Sequence, residues 1–170
     1  MKEVVLGCGT SGAQWASSRP NTFAIDKKMI TSVSQFAVSS GTALPFKQQQ
    51  FEVVYMDFLL NDSANSTPFH SHILNGGSQT GPDVSSLLRA EKLVALYGVL
   101  QEAVRIMRDG GHISIVDTAY NVALVRVLAG NMNLTVSEEQ VIAEDFARSE
   151  SLGFVLSHNE AVNKVSLSSS

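Results

Sequence analysis

The segment Val4-Val5-Leu6-Gly7-Cys8-Gly9-Thr10-Ser11-Gly12 constrains this chain more than any other. A short apolar run reads as a buried strand. Three glycines directly after it let the backbone turn sharply, approach a ligand closely and start a helix packed tightly on that strand. A second apolar run, Thr22-Phe23-Ala24-Ile25, ends in Asp26. An acid about 20 residues beyond the first glycine is placed to hydrogen-bond ribose hydroxyls. Strand, glycines and acid together point to a ligand that carries ribose and adenine.

A chain of 170 residues is long enough for one domain with a real core. A hydrophobic content of 44% with mixed charges fits a soluble globular protein rather than a disordered one. A net charge of −4 argues against nucleic acid and anionic membrane as partners. The single Cys8 excludes an internal disulfide and suits a reducing compartment. No signal-peptide pattern and no long apolar run stand in the sequence, so the expectation is a cytoplasmic protein with no membrane segment.

Elements alternate along the chain. Strands are expected at 3–7, 22–26, 51–56 and 112–117, with a helix over 11–17 that stops before Pro20. Helical spacing runs over 28–38, with Met29, Ile30, Val33, Phe36 and Ala37 on one side. Residues 61–82 are rich in Ser, Asn, Thr, Gly and Pro and read as a flexible insertion over 62–82. Asp83 reads as the N-cap of the longest amphipathic run, 84–108, which Asp109-Gly110-Gly111 ends. Two helices follow, one around 120–129 and one opened by a Ser137/Gln140 capping box and running to about 150. Runs at 152–159 and 164–168 would pair as a final antiparallel hairpin. Alternation of this kind predicts an α/β fold, a three-layer, mainly parallel sheet with that C-terminal hairpin, in one domain over 1–170. Ligands of such sheets sit beyond the strand C-termini, which places Gly7–Gly12, Asp26, Asp57 and Asp117 on one rim.

Three motifs in order resemble the class I S-adenosylmethionine-dependent methyltransferases. Leu6-Gly7-Cys8-Gly9-Thr10 resembles their "LGCGTG" loop. Ala43-Leu44-Pro45-Phe46 followed by Phe51-Glu52-Val53-Val54-Tyr55 resembles "LPF…FDVV". Arg105-Ile106-Met107-Arg108-Asp109-Gly110-Gly111 resembles "R-x-L-x-P-G-G", with Asp109 in place of proline. The resemblance covers 4–117 and implies a Rossmann-like fold and transfer of a methyl group from S-adenosyl-L-methionine to a small-molecule acceptor at O, N or C. It implies that Gly7, Cys8 and Gly9 lie against the methionine part of the cofactor, and that Asp26 takes the ribose hydroxyls. Lys27 and Met29 would flank the adenine, Ala43 and Leu44 line its pocket, and Tyr55 and Met56 pass beneath the cofactor. Such transfer is in-line attack on a sulfonium methyl, which calls mainly for positioning and for no metal.

Asp57, at the end of its strand, is the expected general base or acceptor-orienting residue. Asp117 and Tyr120, on the equivalent rim after the next strand, and His70 in the insertion are candidates for substrate contact. His70 and His72 lack a nearby third ligand, so no metal is expected. Asp57-Phe58-Leu59-Leu60 stands where amino-methylating nucleic-acid enzymes carry Asn/Asp-Pro-Pro-Tyr, which argues against DNA as acceptor. Val5 and Ser40 stand where the family usually places acids that bind the cofactor. The alternative is therefore a catalytically silent, methyltransferase-like binding or regulatory subunit. A nicotinamide-dependent oxidoreductase is a third reading, without an evident Tyr-x-x-x-Lys pair. A homodimer or a partner subunit could cover the cofactor.

Overall fold

The computed structural model describes residues 1–26, 35–57, 82–149 and 161–169. In chain order it contains β1 (Glu3–Leu6), α1 (Gly9–Ser17), β2 (Thr22–Asp26), β3 (Phe36–Val38), β4 (Phe51–Asp57), α2 (Pro82–Ile106), β5 (Met107–Thr118), α3 (Ala119–Asn131), β6 (Leu134–Glu139), α4 (Ala143–Arg148) and β7 (Val162–Ser169). The strands form one sheet in the order β3-β2-β1-β4-β5-β7-β6. The first five run parallel. β7 is antiparallel to both of its neighbours, β5 and β6. The expected α/β sheet, mainly parallel with an antiparallel C-terminal part, is what the chain forms.

The burial pattern explains the order. All four residues of β1 are buried, as a central parallel strand covered on both faces requires. Val4, Leu6, Ile25, Val54, Met56, Ile113, Ile115, Val165 and Leu167 join the large core, which α2 closes with Leu96, Leu100, Ala103 and Ile106 and α3 closes with Val122, Val125 and Ala129. Alternate residues face the other way. Val5, Ala24 and Tyr55 meet Cys8, Ala13, Trp15 and Ala16 of the loop and α1. Two cores on opposite faces make the three layers.

Four expectations need correction. Helix does not extend to Val38, because Phe36-Ala37-Val38 is a strand paired parallel with Ala24–Asp26. The apolar run has more to gain on a sheet edge than on a solvated helix face. Residues 28–34 lie outside the described part. Pro82, not Asp83, stands at the helix start, where proline's missing N–H costs nothing. That helix ends at Ile106, and Asp109-Gly110-Gly111 belongs to β5, where Gly110 takes a φ of 72° and a Cβ on Gly111 would meet the Glu52 carbonyl at 2.8 Å. Ser137 and Gln140 do not open a helix: Ser137 is inside β6, and α4 starts only at Ala143, with the Asp145 carboxylate accepting the Ile142 N–H at 2.7 Å. β7 therefore pairs with β6 and β5; the strand expected at 152–159 lies outside the described residues, as do residues 62–81 of the insertion.

Candidate functional site

The chain leaves β1 on one side of the sheet's switch point and returns as β4 on the other, so a crevice opens beyond the C-terminal ends of β1, β2 and β4. The glycine loop fills the lip of this crevice. Gly7 and Gly9 have φ of 62° and 54°, a region that side chains with a Cβ rarely adopt. No heavy atom lies within 4 Å of where a Cβ on Gly9 would be, so the glycine there serves the backbone turn rather than tight packing. Gly12 is a glycine for the opposite reason. Its Cβ would meet the Cys8 Cβ at 2.9 Å and the Arg148 carbonyl at 3.0 Å.

Asp26 closes the crevice from β2. Its carboxylate accepts the Gly9 N–H at 3.0 Å, and its carbonyl accepts the Ser39 N–H. The Cys8 N–H reaches the Ile25 carbonyl at 3.2 Å, so loop and strand end are tied at two points. Cys8 is buried, and burial, with the Asp26 charge, pushes its thiol up to about 12. The thiol stays protonated at any physiological pH and packs as a small apolar group.

Residues 43–46 run along α2, with Leu44 in the large core and the Phe46 ring against Phe23 and Phe51, at the starts of β2 and β4. Leu44 is buried, whereas Ala43 is exposed. Leu44 donates its N–H to Glu102 of α2 at 2.9 Å, and Arg105 donates to the Leu44 and Phe46 carbonyls at 3.1 and 2.7 Å. Arg105 also pairs with Glu102 at 2.7 Å, and that bond holds the Glu102 carboxyl below its usual range. The sequence reading took Arg105 only as part of a turn motif and missed Glu102; the pair is a clamp that fixes the segment's backbone. Ser40 bonds locally to Thr42 at 3.0 Å. Val5 is apolar core under α1.

Asp57 and Asp117 reach the expected edge but point to opposite faces. Asp117 is fully buried and accepts the Thr118 N–H and the Asn121 side chain at 2.7 and 2.8 Å, which fastens the start of α3. Asp57, only 5% exposed, turns toward α1 and α4. Its Oδ2 accepts from Arg148 Nε at 2.8 Å, and its Oδ1 has no partner among the described residues. Burial pushes its carboxyl up to about 6 against the pull of Arg148. Arg148 also donates to Asp145, whose two oxygens lie 3.2 Å from Lys164 Nζ. Burial opposes the Arg148 charge, yet the two carboxylates hold it firmly charged.

Tyr55 and Met56 also part company. Met56 sits in the large core. The Tyr55 ring meets Trp15 edge-on at 5.5 Å and lies 4.1 Å from the Arg148 guanidinium. Burial first, then Glu3, raises its hydroxyl to about 12. Lys27, Met29 and His70 lie outside the described residues, as does the Tyr120 side chain. Arg148, Asp145 and Lys164 were missed altogether. The only signal for them was an acid and a base three residues apart beside two outward apolar residues. Among the described residues no group of His, Cys, Asp and Glu could hold a metal ion. Nor is any described helix long and apolar enough to cross a membrane.

The bare loop and the carboxylate facing it fit the amino-acid and ribose ends of an S-adenosyl group, since backbone without Cβ can approach closely and Asp26 ends its strand beside it. No family model and no curated protein matches the chain. Solved structures do match. A Methanosarcina mazei S-adenosylmethionine-dependent methyltransferase superposes with a TM-score of 0.59 at 11% identity, covering 99% of this chain and 92% of its own. A Bacteroides fragilis S-adenosylmethionine-dependent methyltransferase, solved with S-adenosyl-L-homocysteine, gives 0.56 at 9% identity and covers 100% and 73%. The [4+2]-cyclase SpnF gives 0.54 at 12% identity and covers 99% and 74%. At such identities the likeness speaks of architecture alone: this chain has the fold found in S-adenosylmethionine-dependent methyltransferases.

Proposed function

We propose that the chain binds S-adenosyl-L-methionine and transfers its methyl group to a small-molecule acceptor at O, N or C. One observation carries this reading: a loop of positive-φ glycines hydrogen-bonded to the strand-end carboxylate of Asp26, at the switch point of the sheet. When bound, the cofactor supplies an electrophilic sulfonium methyl. The backbone of Gly7, Cys8 and Gly9 would receive its methionine part, Asp26 its ribose, and the clamped segment with Ala43 and Leu44 its adenine, where Lys27 and Met29 would also lie. Tyr55 and Met56 would support the floor.

Asp57, Asp117, Tyr120 and His70 are then assigned to the acceptor side. The ion pair and burial of Asp57 favour orienting an acceptor N–H or O–H at Oδ1 over removing a proton in open water. A small acceptor agrees with the net charge of −4, which disfavours nucleic acid. We place the protein in the cytoplasm as a single domain over 1–170, alone, as a homodimer or with a partner subunit.

Titration calorimetry with S-adenosyl-L-methionine and S-adenosyl-L-homocysteine tests the reading. Micromolar binding that Asp26→Ala weakens by about ten- to a hundredfold supports it, because a charged hydrogen bond is worth roughly 1.5–3 kcal/mol. No heat at millimolar ligand would refute it. That outcome would favour the second reading, a silent methyltransferase-like subunit, to which the apolar, buried Val5 beneath the loop already inclines. The cyclase with the same architecture is a reminder that fold does not dictate reaction.

A further inference from the structure

The sheet ends in two strands of unequal length. β3 has three residues, and shortness is one way a sheet blunts its edge. β6 offers six, Leu134–Glu139, in unbroken register with β7 and with no proline, lysine or bulge to guard it. Its charges stand at one end and are already paired within the chain. Glu138 accepts from Arg126 of α3 at 2.5 Å, and Glu139 lies 3.4 Å from Lys164 of β7.

The helix beside this edge is uncovered as well. On α3, Ala123, Arg126, Val127 and Gly130 are exposed and share one face at i, i+3, i+4 and i+7. Val127 is 57% exposed, and a Cβ on Gly130 would meet nothing within 4 Å. The bond from Arg126 to Glu138 sets that face along the outer side of β6. Leu134 and Val136 are half-buried on the same side of the sheet, since they pack against the core that α3 closes. An open strand and an uncovered apolar step thus adjoin.

The main chain of an end strand is complemented by another extended strand, and its own copy suits this one. A two-fold axis normal to the sheet keeps like faces together, so the numbers of opposed residues must sum to an even value. Two antiparallel registers use most of β6. A pairing centred on Ser137 would make the two Glu138 side chains diagonal neighbours, about 7–8 Å apart. Centring on Val136 sets Glu138 opposite Leu134 and parts the two glutamates by about 13 Å of strand. It also opposes Val136 to Val136 and Thr135 to Ser137, pairs of the kind that stabilise sheets. Charge therefore selects the second register.

We propose that β6 is a homodimerisation edge. Two copies pair their β6 strands antiparallel about Val136 and join their seven-stranded sheets into one, with the two Val127 side chains closing over Leu134 and Val136. Each chain has one β6, so assembly stops at two. Opposition from Leu134 to Glu138 with one helix face is a contact below standard size, for which the dissociation constant is on the order of 10 μM.

Sedimentation velocity of the intact protein from about 1 to about 200 μM reads the association. Growth from one chain to two is expected across that span. Val127→Glu, at an exposed site, should weaken it by about tenfold or more, because it faces two like charges across the axis. Cysteine pairing under mild oxidation reads the register. Val136→Cys puts two thiols on the axis and should give a covalent dimer, whereas Ser137→Cys should not. Chance collision would favour the reverse, since Ser137 is the more exposed, and the buried Cys8 stays silent in both. A chain that stays single at about 200 μM overturns the proposal, including where a strand of another protein takes the edge. So does a dimer indifferent to Val127→Glu, cross-linking through Ser137→Cys alone, or growth beyond two chains. If Val136→Cys does not fold, sedimentation of the wild type and Val127→Glu decides.

Discussion

Replacing Arg148 with methionine keeps the length of the side chain and deletes its charge. The guanidinium is 98% shielded from solvent, so water does not fill in. Asp145 keeps Lys164 at 3.2 Å, but Asp57 loses its hydrogen-bonded counter-charge. The cost has three parts. In the folded wild type, holding Asp57 ionised near neutral pH already costs about 3 kcal/mol, from the rise of its carboxyl from 3.8 to about 6. Without Arg148 it would protonate instead, which at pH 7 caps the cost at about 4 kcal/mol, a further loss of about 1. The lost bond to Asp145 adds about 1–2 kcal/mol, and the lost contacts with the Tyr55 and Trp15 rings about 1–2 more. The sum is roughly 3–5 kcal/mol, the range found when a buried pair loses one member. Urea unfolding followed by Trp15 emission measures it. Below about pH 5 Asp57 is protonated in both proteins, so its share of about 1 kcal/mol should vanish there. A loss under about 1 kcal/mol at pH 7, or one that grows on acidification, would refute the ion-pair account.

Gly12→Ala should lower stability by about 1–2 kcal/mol in thermal unfolding, because overpacking against Cys8 and the Arg148 carbonyl outweighs alanine's better helix propensity. Glu102→Ala should cost about 1–3 kcal/mol and speed amide exchange at Leu44, whose N–H loses its acceptor. Arg126→Ala, which breaks an exposed pair with Glu138, should change stability by under about 1 kcal/mol.

What the residues disclosed beforehand follows from how local each cause is. The glycine loop, β2 and the strand at Phe51 were legible because their apolar runs and turns are set within a few residues. Phe36-Ala37-Val38 was misread because three residues match either period, and only the neighbouring β2 decides between helix and strand. Ser137 and Gln140 match a capping box by spacing alone, yet the antiparallel pairing of Val136 and Ser137 with Leu167 and Ser166 outweighs it. The candidate site divides in the same way. Asp26 was legible from spacing. The turning of Asp57 away from Asp117 was not, because it depends on which face each strand residue takes. Arg148 was hidden since its partners lie 91 and 3 positions away, and only the folded sheet brings the distant one near.

The antiparallel insertion of β7 between β5 and β6 has a bearing on biosynthesis. Leu134–Glu139 leave the ribosome before the strand they must join, and their hydrogen-bonding groups have no place on the nascent sheet until Val162–Ser169 arrive to bridge the gap. The sheet is thus finished from the tail inward. A polypeptide stalled or cleaved ahead of Val162 would leave one strand stranded and the neighbouring β5 edge bare, a surface that invites self-association.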